Sequence, residues 1–242
     1  DKPHAPETSP PALPAVAPAG KLPPMLSQAT ILFIGDSITD AGRARADLNP
    51  NSIWALGCGY ASMAAARLLS DRPGAGLKFL NRGISGNSTL DLQSRFDADA
   101  LALRPDILSI LIGVNDVWSA YKPGRGGVPA DRFEQAYRDI LQRTRAQLPD
   151  VRLMLGEPFM LPCGEVQPAW RDQIATRQAI VHTLADKFDA AIIPLAAVLE
   201  NALAEAPATH WAPDGVHPSP AGHWHMAQAW LAVFNTLLPA AP

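Results

Sequence analysis

The chain has 242 residues, a formal net charge of −3, and 48% hydrophobic against 18% charged residues. This length suits one domain with a single core, and the composition excludes a wholly disordered chain. The net negative charge provides no overall basic field to hold nucleic acid or anionic lipid. No run approaches 18 consecutive apolar residues, so no membrane-spanning helix is expected. The two cysteines, Cys58 and Cys163, are too few for a disulfide-rich scaffold or for a zinc site by themselves, and the sequence leaves open whether they pair.

The first part of the chain is rich in proline. Residues 1–24 contain eight prolines among Ala, Ser, Thr and Glu, a composition typical of an extended tether. We therefore divide the chain into a Pro/Ala-rich tether over residues 1–28 and one domain over residues 29–242. The sequence starts without Met, and such tethers often follow a cleaved secretory signal, so we expect a secreted or periplasmic protein.

The remainder alternates between strand-like and helix-like patterns. Five short apolar runs have strand character: Thr30–Ile34, Leu77–Leu80, Ile107–Ile112, Val151–Leu155 and Ala190–Ile193. Between and after them, apolar residues recur every three or four positions, most clearly from Phe133 to Leu141, which predicts helices. This alternation predicts a three-layer α/β/α sandwich around a central five-stranded parallel sheet. In such a sheet, sites lie at the carboxyl ends of the strands.

Four polar blocks stand out. Three follow predicted strands and one lies near the end of the chain: Gly35-Asp36-Ser37, Asn81-Arg82-Gly83-Ile84-Ser85-Gly86-Asn87, Gly113-Val114-Asn115-Asp116 and Asp214-Gly215-Val216-His217-Pro218. Acyl transfer needs residues of these types. A serine becomes nucleophilic when a histidine takes its proton and a carboxylate orients that histidine, which predicts the catalytic group Ser37, His217 and Asp214. Developing oxyanion charge needs donors, for which we assign the Ser37 N–H, the Gly83 N–H and the Asn115 amide.

These blocks, in this order, resemble the SGNH (GDSL-type) hydrolases over about residues 29–238. Residues 35–45, 81–88, 113–118 and 214–223 are similar to the bacterial branch that contains acetylxylan esterases. The resemblance implies the α/β/α fold, a serine esterase without cofactor or metal, an acetylated xylan or xylo-oligosaccharide substrate, and a possible homo-oligomer. In that branch a Trp often precedes the catalytic Asp, whereas here Trp211 is separated from Asp214 by two residues, which leaves its role open.

Other interpretations remain for single residues. Ser37 is also a suitable helix N-cap, and Gly83 is suitable for a tight turn. We expect Asp40, Arg43, Arg45 and Asp116 to pair with each other and brace the loops. Trp118, Trp211 and Tyr60 are candidate sugar platforms, although ordinary, partly buried aromatics fit the pattern equally well.

Several alternatives are excluded or kept open. The G-x-S-x-G motif of α/β-hydrolases is absent, and Gly57-Cys58-Gly59 does not follow the first strand as a dinucleotide loop requires. His223 and His225 lie two positions apart on a predicted helix and so do not share a face, which argues against a metal site. A lipid-type esterase, lysophospholipase or thioesterase with the same three residues remains open, as does a catalytically silent sugar-binding module.

Overall fold

The computed structural model describes residues 27–237. Most of the predicted tether (residues 1–26) and the last five residues lie outside this range. The described residues form a three-layer α/β/α sandwich, as predicted, around one five-stranded parallel sheet in the order β2-β1-β3-β4-β5. The strands are β1 (Thr30–Gly35), β2 (Lys78–Asn81), β3 (Ile107–Leu111), β4 (Arg152–Gly156) and β5 (Ala190–Ile193).

Ten α-helices connect and flank these strands within residues 27–237. They are α1 (Ser37–Asp40), α2 (Ile53–Leu56), α3 (Tyr60–Asp71), α4 (Thr89–Asp99), α5 (Val114–Trp118), α6 (Ala130–Gln147), α7 (Trp170–Phe188), α8 (Leu195–Ala202), α9 (Ala208–Trp211) and α10 (Pro220–Thr236). None of these helices is long and apolar enough to span a membrane.

Each face of the sheet is covered by its own set of helices. Side chains alternate across a strand, so Ile31 and Phe33 of β1 face one layer and Leu32 and Ile34 face the other. The first layer contains α3, α8 and α10, and the second contains α4, α6 and most of α7, whose first turns pack in the first layer through Trp170 and Ile174. Because both faces are covered, the inner strands read as continuous apolar runs, which made them recognisable in the sequence.

The strand order creates a crevice where the candidate residues gather. From β1 the chain passes outward to β2 on one side, and then returns to β3 on the other side of β1. The connections after β1 and β3 therefore diverge at neighbouring strand ends, where Gly35 is in register with Leu111. A divergence of this kind opens a crevice at the carboxyl edge of a parallel sheet. The segments that carry Ser37 and Asn115 both begin at this edge.

Candidate active site

Ser37 lies at the junction of β1 and α1. The preceding Asp36 is the N-cap of α1, and its side-chain oxygen accepts a 3.0 Å hydrogen bond from the Ile38 N–H. This cap leaves Ser37 at the first position of the helix, where a backbone N–H has no partner within the helix. The Ser37 N–H has no hydrogen-bond acceptor within residues 27–237. The alternative of Ser37 as the N-cap is wrong, because Asp36 occupies that position.

His217 and Asp214 lie together in the loop between α9 and α10. Asp214 Oδ1 accepts backbone hydrogen bonds from Val216 (2.9 Å) and His217 (2.7 Å), which fold the loop around the carboxylate. Short side chains of Asp and Asn commonly bind backbone N–H groups two and three residues ahead in this way. The second oxygen, Asp214 Oδ2, lies 2.6 Å from His217 Nδ1.

These three side chains form one continuous hydrogen-bonded chain. Ser37 Oγ is 2.8 Å from His217 Nε2, although the two residues are 180 positions apart in the sequence. The ring of His217 thus has one nitrogen toward a hydroxyl and the other toward a carboxylate. With Nδ1 protonated and donating to Asp214, Nε2 is free to accept the Ser37 proton. The geometry is that of a nucleophile, a base and a residue that orients the base.

Hydrogen bonding keeps Asp214 ionised. Partial burial on its own raises the pKa of Asp214, but hydrogen bonds from the His217 ring and from the backbone N–H groups of His217 and Val216 outweigh it, so the pKa lies below its usual value. The carboxylate is therefore charged across the neutral range, where it stabilises a protonated His217 ring.

Asn115 follows the end of β3, the strand that pairs with β1. It is at the second position of α5 and only 5% of its surface is exposed. One proton of its Nδ2 group is donated to the Asn87 carbonyl oxygen at 3.1 Å. This bond joins the end of β3 to the loop that follows β2 and leaves the second Nδ2 proton without an acceptor in residues 27–237.

Gly83 does not offer a free N–H group. Its N–H donates to Asn81 Oδ1 at 2.8 Å, so the expected role of Gly83 as a donor to substrate disagrees with the structure. A Cβ atom at Gly83 would lie 2.3 Å from the Asp40 backbone nitrogen, so this position has no side chain because the loop packs directly on α1. Gly83 therefore permits close packing against α1, and it does not lie in the tight turn that was its alternative, which is formed by residues 85–86.

The same loop contains a second glycine with a free N–H. Gly86 directly precedes Asn87, the residue that accepts the Asn115 amide. The Gly86 N–H has no acceptor within the described chain, and no atom lies within 4 Å of the place a Cβ would occupy. The sequence contains a signal that distinguishes the two glycines. An Asn side chain commonly accepts the N–H two residues ahead, which predicts that Asn81 binds the Gly83 N–H and leaves the Gly86 N–H free.

The three candidate sugar platforms have different environments. The Trp118 ring is half-buried and lies 5.6 Å from the His217 ring, at the site. Tyr60 is buried, with its hydroxyl 3.1 Å from Thr39 Oγ1, and Trp211 is buried, with its ring nitrogen donating to the Ala206 carbonyl. Neither Tyr60 nor Trp211 presents a free ring face, so their assignment as platforms is wrong.

The charged residues around the site pair only partly as expected. Arg45 forms an ion pair with Asp40, whereas Arg43 donates instead to the Gly83 carbonyl at 2.8 Å. The carboxylate of Asp116 accepts the Thr89 N–H at the start of α4. The loops are therefore braced mainly by bonds between side chains and backbone.

Asp36, next to Ser37, is fully buried and close to Asp116. Burial, with a smaller contribution from the negative charge of Asp116, raises the pKa of Asp36 to about 7. Burial also raises the pKa of Asp116 to about 6. The oxygen Asp36 Oδ2 has no hydrogen-bond partner in the described part of the chain.

The two cysteines and His223 are the remaining candidates for redox or metal chemistry. Cys58 and Cys163 are both free thiols. His223 accepts the Tyr60 N–H through Nδ1, and burial lowers its pKa to about 4, so it is neutral. In residues 27–237, no group of three or more His, Cys, Asp and Glu side chains is arranged to hold a metal ion.

Comparison with known protein families identifies the class to which this fold and these site residues belong. The chain matches the GDSL-like lipase/acylhydrolase family over residues 33–225, and it belongs to that family. It is therefore an ester hydrolase of this family.

Among individual proteins, the chain is similar to acetylxylan esterase of Geobacillus stearothermophilus, with 36% identity over 206 residues that cover 83% of this chain and 91% of that protein. The solved structure of that organism's acetylxylan esterase Axe2 has a TM-score of 0.79 at 34% identity, over 86% of this chain and 94% of that one. LAE5, an alpha/beta hydrolase enzyme from the metagenome of Lake Arreo, has a TM-score of 0.79 at 27% identity, over 86% and 96%. Two further Axe2 structures are of variants described as catalytic mutants, one of a histidine and one of a serine.

Proposed function

We propose that this protein is a serine esterase that removes O-acetyl groups from carbohydrate, with acetylated xylan fragments as its substrate. The observation that carries the proposal is the continuous chain from Ser37 Oγ to His217 (2.8 Å) and from His217 to Asp214 (2.6 Å). The choice of substrate is supported by the similarity to acetylxylan esterase. The serine and histidine variants of Axe2 described as catalytic mutants support the roles of Ser37 and His217.

The reaction begins with attack on the acetyl carbonyl. Ser37 Oγ forms a bond to the carbonyl carbon as His217 Nε2 takes the hydroxyl proton, and Asp214 stabilises the resulting imidazolium. The carbonyl oxygen becomes negative in the tetrahedral intermediate. We assign its donors as the Ser37 N–H, the Gly86 N–H and the free Nδ2 proton of Asn115, since each has a proton without an acceptor in the described chain.

The remaining steps use the same groups in reverse order. The protonated His217 gives its proton to the sugar oxygen, which leaves as the free hydroxyl of the saccharide. Water then attacks the acetyl ester on Ser37 with His217 as base, and acetate leaves as Ser37 recovers its proton. No step requires a cofactor.

One observation favours the lipid-type alternative. Leu48, Ile53 and Trp54 are each more than 60% exposed on the segment between α1 and α3, and their apolar side chains could receive an acyl chain. The carbohydrate esterase is distinguished from it by acyl-chain length. We expect kcat/KM to fall steeply from acetyl to octanoyl esters, whereas a lipid-type enzyme would prefer the longer chain.

The substrate is tested by measuring acetate release from acetylated xylan, pectin and chitin fragments in parallel. We expect xylan fragments to be the best substrate, with wild-type protein compared against a Ser37→Ala control in every reaction. Equal turnover of all three would contradict xylan specificity.

Labelling of Ser37 by a serine-directed inhibitor separates an enzyme from a silent binding module, in which the serine would stay unmodified.

A further inference from the structure

A turn beside the candidate active site carries two cationic side chains. It spans Lys122–Arg125, between α5 and α6, and the Arg125 N–H donates to the Lys122 carbonyl at 3.2 Å. Pro123 occupies its second position and Gly124, with φ of 70°, its third, which is the pattern of a type II turn. The ends of such a turn lie close together, so Lys122 and Arg125 are held on the same rim.

Lys122 is fixed on an aromatic ring that contacts the site. Its Nζ atom lies 3.7 Å from the centre of the Trp118 ring, a cation–π contact. The Trp118 ring in turn lies 5.6 Å from the His217 ring and 5.8 Å from the Trp170 ring, which is fully buried. The Trp118 ring therefore binds the Lys122 ammonium group and also contacts the ring of His217, the proposed base.

The two cations have no acidic partner. Neither Lys122 nor Arg125 forms an ion pair or side-chain hydrogen bond with any residue in 27–237. The acids near the proposed chemistry are already engaged: Asp214 with His217, the buried Asp116 with the Thr89 N–H, and the buried Asp36 with the Ile38 N–H. A cation–π contact uses the charge of the ammonium but leaves its N–H groups available to an anion.

We propose that Lys122, assisted by Arg125, binds a carboxylate of the substrate, so that the preferred substrate is an acetylated saccharide carrying a uronic acid next to the acetylated sugar. The inference rests on the proposed function, because it assigns a neighbour to the sugar whose acetyl group Ser37 attacks. Ammonium and guanidinium groups form charge-assisted hydrogen bonds with carboxylates. Two such groups without counterions fit a single negative charge brought by the substrate.

The test compares matched acidic and neutral substrates. One is an acetylated xylo-oligosaccharide with a glucuronic acid branch, the second is the same compound without the branch, and a sulfated analogue and an acetylated oligogalacturonate complete the set. We expect kcat/KM to be higher for the uronate compounds than for the neutral one. The ratio of acidic to neutral kcat/KM should fall in high salt, because Arg125 is exposed and Lys122 is only partly buried. In Lys122→Gln the ratio of acidic to neutral kcat/KM should fall by about threefold to tenfold, mainly through KM.

A lysine elsewhere provides the control. Lys187 lies in the last turn of α7 with its Nζ 6.0 Å from the Phe188 ring. Most of that helix separates it from Trp170 at the other end, a distance of about 25 Å. Lys187→Gln should keep the wild-type ratio, and Arg125→Gln should lower it less than Lys122→Gln. An unchanged ratio in Lys122→Gln, or a preference for the sulfated compound over the uronates, would overturn the proposal.

Binding without turnover separates the two proposals. In a Ser37→Ala background, calorimetry compares a deacetylated xylo-oligosaccharide that bears a glucuronic acid branch with the same compound without the branch, and the ratio of the two Kd values reports the carboxylate contact. We expect Lys122→Gln to raise Kd by a factor similar to the change in KM. If binding follows this expectation but no acetylated saccharide is hydrolysed, the proposed esterase function is wrong and the cationic rim is retained. If Kd is the same with and without Lys122, the carboxylate assignment is wrong whatever the enzyme hydrolyses.

Discussion

Three side chains from two distant parts of the sequence carry the proposed chemistry, and they act as a unit. Ser37→Ala removes the attacking oxygen and His217→Ala removes the base, so each should lower kcat by about 10⁴-fold or more, with the fold intact. Asp214→Ala should lower kcat equally or somewhat less. The measurement is kcat on an acetyl ester, with circular dichroism to verify folding. Near-normal turnover by Ser37→Ala would show that another group is the nucleophile.

Asn115 tests the assignment of the oxyanion donors. If its free Nδ2 proton binds the developing negative charge, Asn115→Ala should lower kcat by about 10²- to 10³-fold while KM changes little. A suitable control is Asn49→Ala, because Asn49 lies in an exposed loop and its side chain bonds, among residues 27–237, only to Asp47. An increase in KM at constant kcat would instead assign Asn115 to ground-state binding.

For single residues, the sequence predicted the chemical role of a side chain better than it predicted the burial and hydrogen bonding of that side chain. The sequence blocks were sufficient to select Ser37, His217 and Asp214, which the fold brings within hydrogen-bonding distance. The sequence predicted Gly83 as an oxyanion donor, but the Gly83 N–H donates to the Asn81 side chain. The proposed donor is therefore Gly86. The burial of Tyr60 and Trp211 depends on helices packed against them from elsewhere in the chain, and no local pattern reveals that.

Among the elements, those defined by burial were the most predictable. All five strands lie where the apolar runs predicted them, and their bounds differ by at most one residue, since strands covered on both faces are continuously apolar. The helices α1, α2 and α9 have four residues each, too few for any periodicity to appear. Caps such as Asp36 and Ser52, whose side chains accept backbone N–H groups of α1 and α2, define two of them instead.

The segment after β4 supports the loop that carries Asp214 and His217. The Leu161 N–H donates to the Gly215 carbonyl at 2.8 Å, and the Glu165 N–H donates to the Asp214 carbonyl at 2.9 Å. Between them, Gly164 has a positive φ of 59°, and a Cβ there would lie 2.3 Å from the Asp214 Cα atom. This close approach makes Gly164 a positioning residue for Asp214.

Gly164→Ala should therefore displace the Asp214 loop. We expect kcat to fall by at least about tenfold, since small misplacements of catalytic groups are costly, and Tm to fall because the left-handed backbone is strained by a side chain. Gly74→Ala is the matched control, because apart from its chain neighbours no atom of residues 27–237 lies within 4 Å of its Cβ position. Unchanged kcat in Gly164→Ala, measured beside Gly74→Ala, would show that this segment does not position Asp214.

On the scale of the whole molecule, the site depends on strand order. The alternation of strands and helices was sufficient to predict a parallel sheet with its site at the carboxyl ends, but the order β2-β1-β3-β4-β5 depends on long-range pairing that no short segment encodes. That order places the end of β1 beside the end of β3, and so places Ser37 near Asn115.

The described residues contain every group assigned to the reaction, which leads to a prediction about the Pro-rich tether. Deleting residues 1–24 should leave Tm and kcat/KM nearly unchanged, because their composition offers little apolar surface to bury. The deletion preserves Gln28, whose N–H donates to the Ala75 carbonyl, and the buried Ala29. A Tm lower by many degrees would show that the segment packs against the domain.

The buried carboxyl of Asp36 connects the site to the stability of the whole protein. Its pKa is raised by burial from 3.8 to about 7, so the folded state keeps a proton that the unfolded state releases between these two values. The contribution of Asp36 is thus most favourable below pH 4, and the free energy of unfolding falls as pH rises toward 7, by about 1.4 kcal/mol per unit at most. Arg95, which lowers this pKa, and Asp116, which raises it, limit the size of the effect.

Asp36→Asn should remove this dependence on pH. The asparagine carbonyl can still accept the Ile38 N–H that caps α1, but the side chain stays neutral at every pH. Relative to wild type, the variant should therefore gain stability as pH rises from 5 to 8, by roughly a few kcal/mol. Urea unfolding at several pH values measures this difference, with Asp150→Asn, in an exposed turn before β4, as the control. A difference between Asp36→Asn and wild type that is constant across this range would show that Asp36 is already ionised in the folded protein at pH 5.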